Sequence, residues 1–194
     1  MQQAFQGVTL LDYAINASLV LSYVAMRKDD KAGLVTFNER FDTFVPASKQ
    51  VGQMQTLLEN LYKQETTFGE TDFSALCVHL AKHVNKRSLL VLYTNFGSLG
   101  SMNRQLAYLQ QLSRQHRLLV VFFEDADLKE YISKKPVDTE GYYRQVIAEK
   151  FAYEKRLIVT TLKQNGIYSV LTTPDKLSID VLNKYLEMKS RQLI

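Results

Sequence analysis

The sequence predicts an α/β fold, a doubly wound and mostly parallel sheet flanked by helices. Three observations predict it. Helical periodicities alternate with short apolar runs along the chain. Two of those runs, SLLVLYT (88–94) and RLLVVFF (117–123), are nearly continuous in apolar residues, as parallel strands covered on both faces are. With 194 residues, 46% hydrophobic and 23% charged, the chain has material for one sizeable core, so a single domain over 1–194 is expected.

Each element follows from its local pattern. Thr9 is placed to cap a helix running to about Arg27, and Leu10, Ala14, Ala17, Val20, Leu21 and Val24 make it apolar around most of its girth, which predicts burial on more than one side. KAGLVTFN (31–38) reads as a core strand, Glu39 and Arg40 as a turn, and FDTFVPA (41–47) as a hairpin partner at an edge, ended by Pro46. Residues 49–64 carry Val51, Met54, Leu57, Leu58 and Leu61 at helical intervals, and residues 72–86 do the same with Phe73, Leu76, Leu80 and Val84.

The strand 88–94 is followed by a helix over 101–116 with Ser101 as its cap, then by the strand 117–123. A short helix is expected near 126–133, a loop marked by Pro136, and a long helix over 139–164 that Asn165 and Gly166 stop. IYSVLTT (167–173) is the last strand, and 178–191 a closing helix.

Composition excludes several classes of function. Lys and Arg number 24 against 20 Asp and Glu, a net charge of +4, with both signs interspersed. Short basic spots at 82–87 and 134–135 do not build a stripe interleaved with aromatics, so nucleic acid is not an expected partner. The one cysteine, Cys77, fits a reducing compartment. No apolar stretch reaches the roughly 18 to 20 uncharged residues of a membrane span, and the opening MQQAFQG does not read as a signal peptide.

In an open α/β sheet, ligands bind outside the carboxyl ends of the strands. Two segments qualify: GETDFSAL (69–76), with Thr71 and Asp72 at a helix start, and TNFGSLGS (94–101), with Thr94, Asn95, Phe96 and Ser98 at a strand end. Helix capping through orphan amides is the plain role for Thr71 and Asp72.

The ordered segments TLLDYAINASLVLSYVA, KAGLVTF, TDFSAL, SLLVLYTNF, LLVVFFED, IAEKFAYEK and LNKYLEMKSRQLI resemble the C-terminal von Willebrand factor A-like region of the bacterial domain-of-unknown-function 58 family, from about residue 6 to the end. The resemblance implies a Rossmann-like A domain, encoded beside MoxR-type AAA+ ATPases and joined to an N-terminal hairpin of membrane helices. It therefore implies a chain truncated at its N-terminus, the C-terminal piece of a membrane-anchored protein at the cytoplasmic face. The first central strand and its DxSxS loop would lie before residue 1.

A domains hold Mg²⁺ through that loop, a Thr and an Asp. By resemblance Thr71 matches the Thr, Asn95 stands at the Asp position, and Asp72 is the nearest carboxylate; Thr71, Asp72 and Asn95 are the candidate metal ligands of a degenerate site. A hard cation wants charged oxygen ligands, and Asn95 offers an oxygen without charge.

Other constellations have plainer readings. His79 and His83 share a helix face, but without a third ligand they read as surface or partly buried residues, and Cys77 as a core residue. GSLGS (97–101) lacks the lysine of a phosphate loop and reads as a turn. Glu124, Asp125 and Asp127 follow a strand and read as caps. Tyr143, Val146, Ile147, Phe151 and Leu157 form a stripe on the long helix that reads as core, while Tyr142, Arg144 and Lys150 are left for docking.

The expected function is thus that of a non-enzymatic protein-interaction or assembly domain, meeting a MoxR-type AAA+ ATPase through Thr71, Asp72, Asn95, Phe96 and Ser98. The alternatives are an Mg²⁺-dependent adhesion-type ligand clamp and a phosphatase-like hydrolase using Asp72 and the carboxylates after Phe123.

Overall fold

The computed structural model describes residues 1, 4–38, 41–64, 71–124, 132 and 138–194. The chain is mixed α/β and divides into two compact units, residues 1–86 with 175–194, and residues 87–174. The short helix expected near 126–133 and the Pro136 loop lie outside the described residues, apart from Ile132, which is helical.

The first unit begins with two short strands, β1 (Ala4–Phe5) and β2 (Val8–Thr9), paired antiparallel. Gln6 and Gly7 turn between them, both at positive φ, as the tightest hairpin turns require. Helix α1 (Leu10–Arg27) starts on the predicted cap: Thr9 accepts the Asp12 amide at 3.2 Å and the Asp12 carboxylate returns to the Thr9 amide. Leu10, Ala14, Ala17 and Ala25 are buried, but Val20 and Tyr23 are exposed, so the helix is covered over less of its girth than its apolar content predicts.

Strands β3 (Ala32–Phe37) and β4 (Phe41–Ser48) form the predicted antiparallel hairpin, as a two-stranded sheet of their own. The register slips between Ala32 and Leu34, and there a Cβ on Gly33 would lie 2.7 Å from the Ala47 amide nitrogen and from the Val45 carbonyl oxygen. Glycine is the residue that lets the two backbones approach so closely.

Pro46 does not end β4. It falls in the slip, with no residue paired opposite it, where its missing N–H leaves no ladder bond unmade. Its carbonyl and that of Ala32 both accept from the Gln53 side chain, at 2.9 and 2.8 Å.

Helix α2 (Gln53–Tyr62) starts later than its periodicity suggests, because Gly52 precedes it at φ +93; Val51 lies outside the helix and is fully exposed. Its Leu57 joins Ala32 and Val45 in a cluster that Leu19 and Met26 of α1 complete. Helix α3 (Phe73–His83) buries Phe73, Leu76, Cys77 and Leu80.

The second unit holds a three-stranded parallel sheet in the order β5 (Leu89–Tyr93), β6 (Arg117–Phe123), β7 (Tyr168–Thr172). Strand β6 is central and buried from Leu118 to Phe123, as its unbroken apolar run requires. Helix α4 (Leu99–Gln115) joins β5 to β6, and α5 (Thr139–Gln164) runs into β7. Asn165 caps α5 and Gly166 follows at φ +71, the predicted stop.

Strand order increases in one direction across these three strands, so the double winding expected of the whole chain is not visible in them. A 3-10 turn (Pro174–Lys176) leads to the last helix, α6 (Leu177–Ser190), which packs on α1 within the first unit and buries Leu177, Val181, Tyr185 and Met188. No helix among the described residues is long and apolar enough to cross a membrane.

Candidate functional site

The carboxyl end of β5 is shaped by a change of chemistry over five residues, Thr94 to Ser98. The Thr94 amide still donates to the Val121 carbonyl of β6 at 2.9 Å, so the strand pairing outlasts the apolar run. Phe96 then turns inward: it is 5% exposed and meets Phe122 edge-on at 6.3 Å between ring centroids. What this loop presents outward is Asn95, the exposed Gly97 and the half-buried Ser98.

Ser98 starts α4. Its hydroxyl accepts the Ser101 amide at 3.2 Å, and the Ser101 hydroxyl accepts the Ser98 amide at 3.1 Å, a reciprocal cap with serine doing what glutamate does in a capping box. Ser101, predicted as the cap, is therefore its partner in the first turn. The glycines of GSLGS sit at ordinary φ, and a Cβ on Gly97 would meet nothing within 4 Å, so this is a turn leading into a helix, as read from the sequence.

One residue that the sequence reading passed over organises the loop. The Lys155 ammonium, from α5, donates to Asn95 Oδ1 at 2.8 Å and to the Phe96 carbonyl at 2.7 Å, and stands 5.7 Å from the centre of the Phe122 ring. An ammonium drawn from water needs oxygen acceptors, and the face of an aromatic ring adds attraction. Its place follows from helix geometry: Lys155 is seven residues after buried Ala148, three before buried Ile158 and seven before buried Leu162, on the side of α5 that faces the core. Lys155 stands in the segment IAEKFAYEK, but no local pattern links it to Asn95, 60 residues away.

A divalent cation would have to compete with that ammonium. Mg²⁺ requires near-octahedral oxygens at about 2.0–2.1 Å, preferably anionic, whereas the Asn95 oxygen is neutral and already accepts from a cation. Asn95 as it stands here does not fit a metal ligand. Among the described residues, no three His, Cys, Asp or Glu side chains cluster as a metal site would.

Thr71 and Asp72 belong to the first unit, whereas Asn95, Phe96 and Ser98 belong to the second. Both Thr71 and Asp72 are exposed. Asp72 caps α3 as expected, its Oδ1 accepting the Ala75 amide at 3.0 Å, and its own amide donates to the Asn38 carbonyl at 2.8 Å, which ties the helix start to the end of β3.

The remaining candidates resolve as follows. Cys77 is 3% exposed, and burial pushes its thiol up to about 11, the state of a core cysteine. His79 and His83 stack at 4.0 Å and both rings lie 5.3 Å from Phe44 of β4, so the pair packs the helix onto the hairpin. His79 is held below the ordinary imidazole range, first by burial, then by the charges of His83 and Lys82. The Glu124 amide donates to the Thr172 carbonyl at 2.9 Å; Asp125 and Asp127 lie outside the described residues.

The aromatic and aliphatic stripe on α5 departs from expectation. Tyr143, Val146, Ile147 and Phe151 are 67%, 47%, 53% and 44% exposed, and only Leu157 is half-buried. The reason is length. At 26 residues α5 extends about 39 Å, while the five residues of β7 extend about 17 Å, so the helix outruns the sheet.

A family model described as "Protein of unknown function DUF58" matches residues 6–130, and the chain belongs to that family. No curated protein and no solved structure matches the chain.

Proposed function

We propose that this member of the DUF58 family is a non-enzymatic protein-interaction domain of von Willebrand factor A-like fold, which meets a MoxR-type AAA+ ATPase with the surface at the carboxyl end of β5. The observation that carries the reading is the loop 94–98. It is polar outward, and it is fastened at three points: the Thr94 amide on β6, the reciprocal cap of Ser98 and Ser101, and Lys155 on Asn95 and Phe96. A rigid polar loop at a strand end is suited to recognition, since little order is lost when a partner binds.

In this reading Asn95 and Ser98 face the partner and Phe96 supports them from beneath, with Thr71 and Asp72 as a second contact at the start of α3. The resemblance supports the A-like assignment through the order of a hairpin, two helices and three parallel strands. It also suggests a longer, membrane-anchored protein whose domain works at the cytoplasmic face.

The direct test is capture of a purified MoxR-type ATPase from the same genome by the immobilised chain, with and without nucleotide. Binding that Ser98→Lys or Asn95→Arg weakens supports the reading. No capture in either nucleotide state sinks it.

A further inference from the structure

We propose that Lys155 is the resident cation of this strand end, its ammonium holding the loop 94–98 in order without a metal. The inference deepens the docking reading but is tested on the chain alone.

The geometry carries it. The ammonium holds a side-chain oxygen, Asn95 Oδ1 at 2.8 Å, and a backbone oxygen of the next residue, the Phe96 carbonyl at 2.7 Å. Oxygens of this kind, one from a side chain at a strand end and others nearby, are what a hard cation seeks. The Phe122 ring closes another side at 5.7 Å.

Asn95 offers that ammonium a neutral oxygen. Because α5 delivers that cation covalently, the order of the loop is independent of metal supply.

Hydrogen exchange at the amides of residues 94–98 tests this in the full chain. Lys155→Met keeps an apolar stem of similar length and removes the ammonium, so it separates charge from packing. Exchange across 94–98 should rise about tenfold or more, the scale of two hydrogen bonds from a charged donor, while 32–48 in the other unit stays as it was.

Lys155→Arg, which restores a cation, should recover part of the protection. In the unaltered chain, millimolar Mg²⁺ should leave both exchange and thermal unfolding unchanged. Two results overturn the proposal: Lys155→Met as well protected as the parent, which makes the lysine a packing residue, or Mg²⁺ raising the stability of the parent, which makes the site a metal site. If the ATPase capture fails while these outcomes hold, the partner assignment falls and the resident cation stands.

Discussion

The two units of this chain reach stability by different routes. In residues 87–174 a single strand is the centre: β6 is buried from Leu118 to Phe123, and α4 and α5 add Met102, Leu109, Ile158 and Leu162 at 0% exposure. In the unit made of 1–86 and 175–194 a two-stranded hairpin, marginal alone in water, is covered by α1, α2 and α3, and α6 from the far end of the sequence covers α1 in turn.

That second cover is aimed by polar bonds. Gln53 bridges the carbonyls of Ala32 and Pro46, and Asp30 receives the Tyr185 hydroxyl and, at 2.6 Å, the Lys189 ammonium, both from α6. Burial raises the Asp30 carboxyl, but the bonds from Lys189 and Tyr185 and the lysine charge outweigh it and hold the group below its ordinary range. A central strand buried along its length is held by area, which has no direction; a covered hairpin needs directional contacts to set where its helices lie.

The sharpest way to break the comparison is Leu119→Ala. The side chain is 0% exposed at the middle of β6, and its loss should cost about 3–4 kcal/mol. In denaturant unfolding followed by hydrogen exchange, protection should fall throughout 87–174. A cost below about 1 kcal/mol would mean that the sheet repacks and is not the centre described.

The corresponding strike on the hairpin is Gly33→Ala, where the new Cβ meets backbone at 2.7 Å on two atoms. A loss of about 1–3 kcal/mol is expected, with exchange rising along 32–48. An unaffected hairpin would show that the two strands can part without consequence.

The smallest effect is one of pH, and it belongs to the sheet unit. His116 is 2% exposed, and among the described residues neither ring nitrogen has a hydrogen-bond partner. Burial, then the charge of Arg87, holds its pKa below 6.5. The native unit thus binds fewer protons than the unfolded chain, so this contribution is whole above pH 6.5 and is lost as pH falls toward the lower folded value. Thermal unfolding between about pH 7.5 and 5.5 should show a downward slope worth under about 1 kcal/mol, flatter in His116→Leu. Equal slopes would remove His116 from the account.

Much of the fold was legible because its signals are local. The Thr9 cap lies three residues from Asp12, and the stop at Asn165 and Gly166 follows directly on the helix it ends. What was not legible depended on partners elsewhere in the chain. The stripe from Tyr143 to Phe151 announces an apolar helix face, but periodicity is silent on whether a strand reaches far enough to cover it. Pro46 looked terminal because a proline removes a donor, and only the slipped register opposite Gly33 makes that harmless.

The candidate site divides in the same way. Asp72 as a cap is a three-residue relation, whereas Asn95 acquires its meaning from a lysine on another element. The resemblance drew attention to the loop after β5. It gave no hint of the ammonium that holds it.

The discontinuity of the first unit has a consequence for biosynthesis. A ribosome delivers α1, the hairpin, α2 and α3 early, then all of residues 87–174, and only afterwards α6 with Leu177, Val181 and Tyr185. The sheet unit is continuous in sequence, and its three described strands are made before α6. The hairpin unit must wait, with the α1 surface that receives α6 uncovered, until residues 175–194 emerge. A nascent chain paused before residue 175 would therefore be a target for chaperones on residues 1–86, although these are made before the sheet unit.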